Sequence, residues 1–127
     1  MLKHCRVAFE EDDSQTVRDI ERLRHILEQI DALTALVPEL TFESLDNDKV
    51  RYYGIVKMTE IIGEAAYKLT DEFKDSHPEV PWNVIKGMRH YLVHEYYQVS
   101  KEGLWDTLTN DLPELRPFIV KYIEELS

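Results

Sequence analysis

Apolar residues recur at steps of three and four positions along most of this chain, which is the spacing of one face of an α-helix. A first run of this kind follows the acidic stretch EEDDS and ends near Pro38. Its apolar positions are Val17, Ile20, Leu23, Leu27, Ile30, Leu33 and Leu36. Asp13 or Ser14 can cap the free amides at its start. The period predicts a long amphipathic helix.

A second run of the same period extends from Val50 to Phe73 and predicts another long helix. Asn47 or Asp48 is available to cap its first turn. Gly54 and Gly63 lie inside it, where each costs about 1 kcal/mol relative to alanine. We therefore expect another helix to pack closely at both glycines.

Prolines divide the rest of the chain. The loop KDSHPEVPW ends where Pro81 can begin a third helix, predicted over residues 82–98. Ser100 is predicted to cap a fourth helix, KEGLWDTLTNDL, and Pro113 opens a fifth, ELRPFIVKYIEEL. No segment is typical of a strand. The sequence predicts an all-α fold, an up-and-down helical bundle of four to five helices, in a single domain over residues 1–127.

The chain has a formal charge of -10, which argues against broad nonspecific binding to nucleic acid. One segment departs from this balance, because residues 82–101 hold three cations and one acid: Lys86, Arg89, Lys101 and Glu95. No apolar run approaches the roughly 20 residues of a membrane span, and the start MLKHCRVAFEEDD lacks a signal peptide's apolar region. We expect a cytoplasmic protein that contacts no membrane, and we assign no role to the lone Cys5.

The stretch RHYLVHEYY, residues 89–97, concentrates ionisable side chains within that segment. On a helix turning about 100° per residue, Arg89 and Tyr96 lie within about 20° of each other. His90, His94 and Tyr97 fall in an arc about 80 to 140° from Arg89. Arg89 and His94 are thus too far apart around one helix to meet on a small group. A two-fold partner presenting the same helix antiparallel would bring Arg89 of each chain toward His94 of the other.

Three interpretations of this cluster are possible: metal binding, a structural role and phosphate chemistry. His90 and His94, four residues apart, could hold a metal, although HYLVHE lacks a glutamate directly after the first histidine and shows no third ligand. The side chains could instead be structural, hydrogen-bonded inside the bundle or at an interface. In the third interpretation, Arg89 binds phosphoryl oxygens while an imidazole transfers protons near neutral pH. The residue types alone leave the structural and phosphate interpretations equally open.

The spacing of Arg89, His94 and Tyr96 resembles the R-x4-H-x-Y motif of the HepT toxins. These are HEPN-superfamily ribonucleases paired with MntA-type minimal nucleotidyltransferase antitoxins. Three longer segments also resemble family segments in order and spacing: KMTEIIGEAAYKLTDEF, HPEVPWNVIKGMRHYLVHEYYQV and LWDTLTNDLPEL. The resemblance covers about residues 16–126 and leaves an N-terminal extension, residues 1–13, outside it.

The resemblance implies a HEPN-like bundle that forms a homodimer and cleaves RNA at a composite site built from both motif helices. Arg89 would bind the scissile phosphate and stabilise its developing charge, and His94 would act as the acid or base. His90 stands where the family most often has asparagine, and would support them. Neither a metal nor a cofactor is required. An MntA-like nucleotidyltransferase antitoxin would transfer AMP from ATP to Tyr96.

Three functions stay open at this point. One is the toxin of a type VII HepT/MntA system, an endoribonuclease neutralised by adenylylation of Tyr96. Another is a catalytically inactive HEPN helical module that binds a minimal nucleotidyltransferase. The third is a purely structural dimer. A nuclease needs Arg89 and His94 exposed in a cleft, whereas a structural dimer would bury both.

Overall fold

A computed structural model describes residues 18–95 and 98–127. Over these ranges the chain forms six α-helices and no strand: α1 Asp19–Leu36, α2 Lys49–Lys68, α3 Asp71–Ser76, α4 Trp82–His94, α5 Lys101–Asp106 and α6 Leu112–Leu126. A 3-10 turn, Val37–Glu39, follows α1, and a π-helical turn, Thr107–Asp111, joins α5 to α6. The predicted all-α bundle is confirmed, with α1, α2, α4 and α6 as its long helices.

The apolar positions of the helical period meet in a shared core. α2 packs against both α1 and α4, and α1 also packs against α6. Core residues from these helices and from the α5–α6 run include Leu23, Ile26, Ile30, Leu33, Ile55, Ile62, Leu92, Leu104, Leu108 and Ile119. Burying each such side chain stabilises the fold by about 1.5–3 kcal/mol. This burial fixes which face of each helix is left for solvent.

Two helices, α2 and α5, begin at the capping residues that the sequence predicts. The Asp48 side chain accepts a hydrogen bond from the amide of Arg51 at 3.0 Å. Ser100 Oγ accepts one from the amide of Gly103, also at 3.0 Å. Each bond satisfies an amide that has no partner inside its own helix. Both caps act within three residues, which is why the sequence predicts them correctly.

The second predicted helix is too long, because α2 ends at Lys68 and a separate short helix, α3, carries Phe73. The chain leaves the helix at Leu69, which has φ -61° and ψ 146°, and Thr70 follows as the cap of α3. The Thr70 backbone is extended, with φ -63° and ψ 150°, and its hydroxyl caps α3 by accepting from the amide of Phe73. The amide and hydroxyl of Thr70 also donate to the carboxylate of Asp19 at the start of α1, at 2.9 and 2.7 Å. A contact with a distant helix overrides the local period.

The fourth and fifth predicted helices are joined rather than separated. At the π-helical turn, the amide of Leu112 donates to the carbonyl of Thr107, five residues back. Pro113 follows in the first turn of α6, and Pro117 lies inside that helix. Proline has no amide to donate, and its ring crowds the carbonyl four residues back. A widened turn directly before Pro113 accommodates it without ending the helical run.

One expectation for α2 is wrong, and several others concern residues outside the described ranges. A Cβ added at Gly54 would meet nothing within 4 Å in the described chain, so the prediction of a closely packed helix at Gly54 is wrong. The N-terminal extension, Cys5 and the caps Asp13 and Ser14 lie outside the described residues. Among the residues described, no helix combines the length and apolar character that crossing a membrane requires.

Candidate functional site

An aromatic cluster of Phe73, His77, Trp82 and Tyr122 fixes the N-terminal end of α4. The His77 ring lies 4.2 Å from that of Phe73 and 4.3 Å from that of Tyr122, centre to centre. Trp82 Nε1 donates to the carbonyl of His77 at 2.9 Å. The buried Tyr122 hydroxyl donates to the Glu79 carboxylate, and this hydrogen bond lowers the pKa of Glu79. These contacts set where α4 starts and how it leaves the preceding loop.

A close approach between α2 and α4 fixes the middle of α4. A Cβ added at Gly63 would lie 2.5 Å from Arg89 Cβ and 3.2 Å from the carbonyl oxygen of Ile85. The first distance is too short for any real pair of side-chain carbons, so glycine alone fits without movement. The expectation of a closely packed helix at Gly63 is confirmed. The residue packed against it is the motif arginine.

Arg89 is held by the outward side of α2. Its Nε donates to the Glu64 carboxylate, which also pairs with Lys68 Nζ at 3.5 Å. Its guanidinium carbon lies 5.3 Å from the centre of the Tyr67 ring. The side chain is 29% exposed, and its two terminal nitrogens make no hydrogen bond within the described residues. Those nitrogens can therefore donate to a phosphate while Nε stays anchored.

His90 and His94 lie next to each other on the exposed face of α4. Their ring centres are 4.5 Å apart, with the planes inclined by 50°, as expected one helical turn apart. α4 ends at His94, and both imidazoles are exposed to solvent. The pair therefore offers solvent-accessible groups that can accept or donate a proton.

The structure brings the two histidines together but does not bring Arg89 to His94. The two residues lie about 140° apart around α4. Arg89 is directed toward Glu64 and Tyr67 on α2, whereas His94 is exposed at the helix end. No hydrogen bond or ion pair joins them in the described part of the chain. The chain thus presents a guanidinium group and an imidazole on different sides of one helix.

An open hollow lies beside this arrangement, lined by Tyr67, Asn83, Lys86, Gly87, Arg89 and His90. Lys86 Nζ is 5.2 Å from the centre of the Tyr67 ring, so one aromatic ring contacts two cations. Lys101, the third cation of this segment, pairs elsewhere with Asp46 at 3.0 Å. The positive charge at the hollow therefore comes from Lys86 and Arg89.

The metal interpretation finds little support in the donor set. Within residues 18–95 and 98–127, no group of three or more His, Cys, Asp or Glu side chains is arranged to hold a metal ion. His90 and His94 supply two imidazoles, and a structural or catalytic zinc site requires at least three protein ligands.

Comparison with known proteins places these residues in a family. The family model for Ribonuclease HepT-like proteins matches residues 26–122. The chain belongs to the HepT-like ribonuclease family. The matched region contains the whole of α2 and α4, and therefore every described residue of the candidate site.

Several HepT-like relatives match over most of their own length. A protein of Caldanaerobacter subterraneus subsp. tengcongensis, named "Putative RNase", is 37% identical over 103 residues, covering 81% of this chain and 92% of that protein. "Probable ribonuclease HepT" of Thermococcus cleftensis is 36% identical over 94 residues, covering 74% and 86%. A Methanocaldococcus jannaschii protein named "Putative RNase" is 31% identical over 110 residues, covering 86% and 91%. Comparison with solved structures gave no significant match.

Tyr96, the last residue of the HepT-like motif, lies outside the described residues. The predicted third helix is too long, because α4 ends at His94 and Glu95 has non-helical angles of φ -119° and ψ 34°. The angle of about 20° between Arg89 and Tyr96 assumed a continuous helix, so it no longer applies. Modification of Tyr96 stays a prediction, as do the roles of Arg89, His90 and His94.

Sequence reasoning missed three residues of the hollow's surroundings: Glu64, Tyr67 and Asn83. For Asn83 a signal was present, since it lies three and seven residues before Lys86 and His90 on the predicted helix. For Glu64 none was, because its hydrogen bond to Arg89 spans 25 positions. The packing of α2 against α4 at Gly63 brings Glu64 and Arg89 together, and no local sequence pattern predicts this contact.

Proposed function

We propose that this HepT-like chain is a metal-independent endoribonuclease, the toxin of a HepT/MntA-type toxin–antitoxin system. The observation that carries the proposal is the pairing of exposed His90 and His94 on one helix with Arg89, in a member of a ribonuclease family. Within residues 18–95 and 98–127, the terminal nitrogens of Arg89 make no hydrogen bond. A structural role inside the helical bundle would bury these side chains, and His90 and His94 are exposed on the single chain.

Cleavage would proceed by attack of a ribose 2′-hydroxyl on the adjacent phosphorus. A P–O bond to the 2′ oxygen forms, and the bond to the 5′ oxygen of the next nucleotide breaks. One imidazole takes the proton of the 2′-hydroxyl, and an acid returns a proton to the departing 5′ oxygen. His94 is the group assigned to this transfer, with His90 in support. Arg89 stabilises the charge that develops on the phosphoryl oxygens.

The complete site would form in a homodimer. Because Arg89 and His94 lie about 140° apart around α4, a second copy packed antiparallel on this helix would bring the arginine of one chain to the histidine of the other. Val84 and Tyr91 support an interface along α4, since these large side chains are 69% and 40% exposed.

An MntA-like nucleotidyltransferase partner would inhibit the nuclease by adenylylating Tyr96. The transferred AMP adds a phosphate and a base two residues along the chain from His94, and its negative charge would oppose the binding of RNA there. Co-expression with such a partner, followed by peptide mass spectrometry, should show AMP on the peptide containing Tyr96 and none in Tyr96→Phe. An unmodified peptide from a neutralised complex would mean that the partner inhibits by binding alone.

The decisive experiment is incubation of the purified protein with total RNA in excess chelator. Wild type should cut the RNA, and His94→Ala should leave it intact. Identical RNA patterns from the two proteins would refute the nuclease and favour an inactive HEPN module that binds a nucleotidyltransferase. Cleavage that requires an added divalent metal would refute the metal-independent mechanism.

A further inference from the structure

Polar residues form a continuous stripe along the outer face of α4. Asn83, Lys86, Gly87, His90 and His94 follow one another at steps of three and four positions, apart from the adjacent pair at 86 and 87. From Asn83 to His94 the stripe is about 16 Å long, at 1.5 Å per residue. It joins the exposed histidine pair at one end to the hollow beside Tyr67 at the other.

Gly87 has no side chain at the middle of this stripe, and no packing within the described residues requires a glycine there. A Cβ added there would meet nothing within 4 Å among the described residues. Glycine inside a helix lowers its stability relative to alanine, so open space alone gives no reason for glycine. Gly63, by contrast, is required by the packing of Arg89 against it. The space above Gly87 is thus open where an ordinary helix would have a side chain.

The walls of the hollow carry an aromatic ring, two cations and an amide. Tyr67 is 44% exposed and offers an aromatic ring at which Lys86 and Arg89 already lie, 5.2 and 5.3 Å from its centre. Bases stack on tyrosine and on guanidinium planes, while lysine binds phosphate. The exposed Asn83 amide provides a donor and an acceptor for a base edge.

We propose that this hollow binds one nucleotide of the RNA, next to the nucleotide whose phosphate Arg89 holds. The ribose and base lie over Gly87 against Tyr67 and Asn83, and Lys86 binds the flanking phosphate. RNA then runs along α4, from Asn83 past His90 to His94. The proposal rests on the proposed nuclease function for its choice of ligand.

A second copy of the chain is the competing occupant, and the lining argues against it. Lys86 borders the hollow, and lysine is depleted in the cores of protein interfaces. A different depression next to α4 has the apolar lining that a protein partner prefers, including Ile62, Val84, Met88, Leu115 and Phe118.

The test uses a fluorescein-labelled, fully 2′-O-methylated single-stranded RNA, which binds but cannot be cleaved because its nucleophile is blocked. Fluorescence anisotropy gives the dissociation constant for wild type, Gly87→Leu and the matched control Gly54→Leu. Both glycines lie inside helices with open space around the added Cβ, and leucine favours helix more than glycine does. Both variants should therefore melt no lower than wild type. Gly87→Leu should weaken binding about tenfold, as expected for loss of one stacked base, while Gly54→Leu should match wild type.

Lys86→Gln provides a second variant that removes charge without filling the hollow. It should weaken binding and make the negative slope of log affinity against log salt concentration less steep by about 0.7. Lys121→Gln, an exposed lysine on α6, is its control and should leave the slope unchanged. An unchanged slope in Lys86→Gln would overturn the phosphate contact.

Three results would overturn the subsite. The first is that the wild type does not bind the RNA, and the second is that Gly87→Leu binds it as well as the wild type does. The third is that Gly87→Leu loses the dimer mass in light scattering, because that loss would show that a second copy occupies the hollow. Cleavage of unmodified RNA by the same proteins separates this proposal from the nuclease. Binding that depends on Gly87 without any cleavage refutes the nuclease and retains the subsite. Equal cleavage and equal binding by wild type and Gly87→Leu refute the subsite and retain the nuclease.

Discussion

Gly63 on α2 and Gly87 on α4 both border the candidate site, and they differ in what surrounds them. The space beside Gly63 is filled by Arg89 and Ile85, whereas the space beside Gly87 is open in the described chain. The inner glycine lets two helices meet and so positions the motif arginine. The outer glycine contributes nothing to that packing. α4 therefore has an inner face, which the fold requires, and an outer stripe, which is available for function.

The largest expected effect lies on the outer stripe. If His94 is the acid or base, His94→Ala should reduce the cleavage rate by about 10²- to 10⁴-fold. Its thermal melt should be unchanged because the side chain is exposed. His90→Ala should lose less activity, since His90 is assigned a supporting role. His25→Ala on α1 is the control, as an exposed histidine away from α4. A lowered melt in His94→Ala would show that the outer stripe is structural after all.

A substitution on the inner face of α4's contact with α2 should instead change the stability of the protein. In Gly63→Ala the new methyl group would overlap Arg89 Cβ, which is not the mobile end of a side chain. Overpacking of this kind costs about 1–3 kcal/mol, more than the roughly 1 kcal/mol by which alanine favours a helix over glycine. Urea unfolding should show a net loss, with Gly54→Ala on the same helix as the control. A gain in stability would contradict the close approach of α2 and α4.

Gly87→Ala should change stability in the opposite direction. Because nothing described lies within 4 Å of the added Cβ, the substitution should stabilise the protein by about 0.5–1 kcal/mol through helix propensity. Urea unfolding measured beside Gly63→Ala gives the sign directly. Destabilisation by Gly87→Ala would mean that both glycines serve packing, and the contrast between the two faces would disappear.

Breaking the ion pair between Glu64 on α2 and Arg89 on α4 should have the smallest effect on stability. Glu64 and Arg89 are 35% and 29% exposed, and such partly exposed pairs contribute about 0–1 kcal/mol. Glu64→Gln should therefore change the unfolding free energy little. It should lower the cleavage rate, though less than His94→Ala, because Arg89 loses the carboxylate that orients it. Glu60→Gln, which breaks the α2 pair with Lys57, should leave cleavage unchanged. Equal cleavage rates for Glu64→Gln and the wild type would show that Glu64 does not contribute to cleavage.

Features with local causes were predicted well. The caps by Asp48 and Ser100 act on amides three residues away, and the apolar period directly records which face of a helix is buried. The end of α2 was not predicted, because Thr70 is held by Asp19, 51 positions earlier. The end of α4 was missed as well, since RHYLVHEYYQ continues a helical pattern beyond the point where the backbone leaves the helix.

The sequence by itself determined the all-α class, the family motif and the placement of Arg89, His90 and His94 on one helix, because side-chain spacing along a helix is a local property. It also placed the cations of residues 82–101 in an otherwise acidic chain. Only the tertiary structure decided that Arg89 meets Glu64 and Tyr67 and that Gly63 is filled while Gly87 is open. Those contacts depend on how two helices pack. That packing depends on how all the buried side chains fit together, so it cannot be read from any one sequence position.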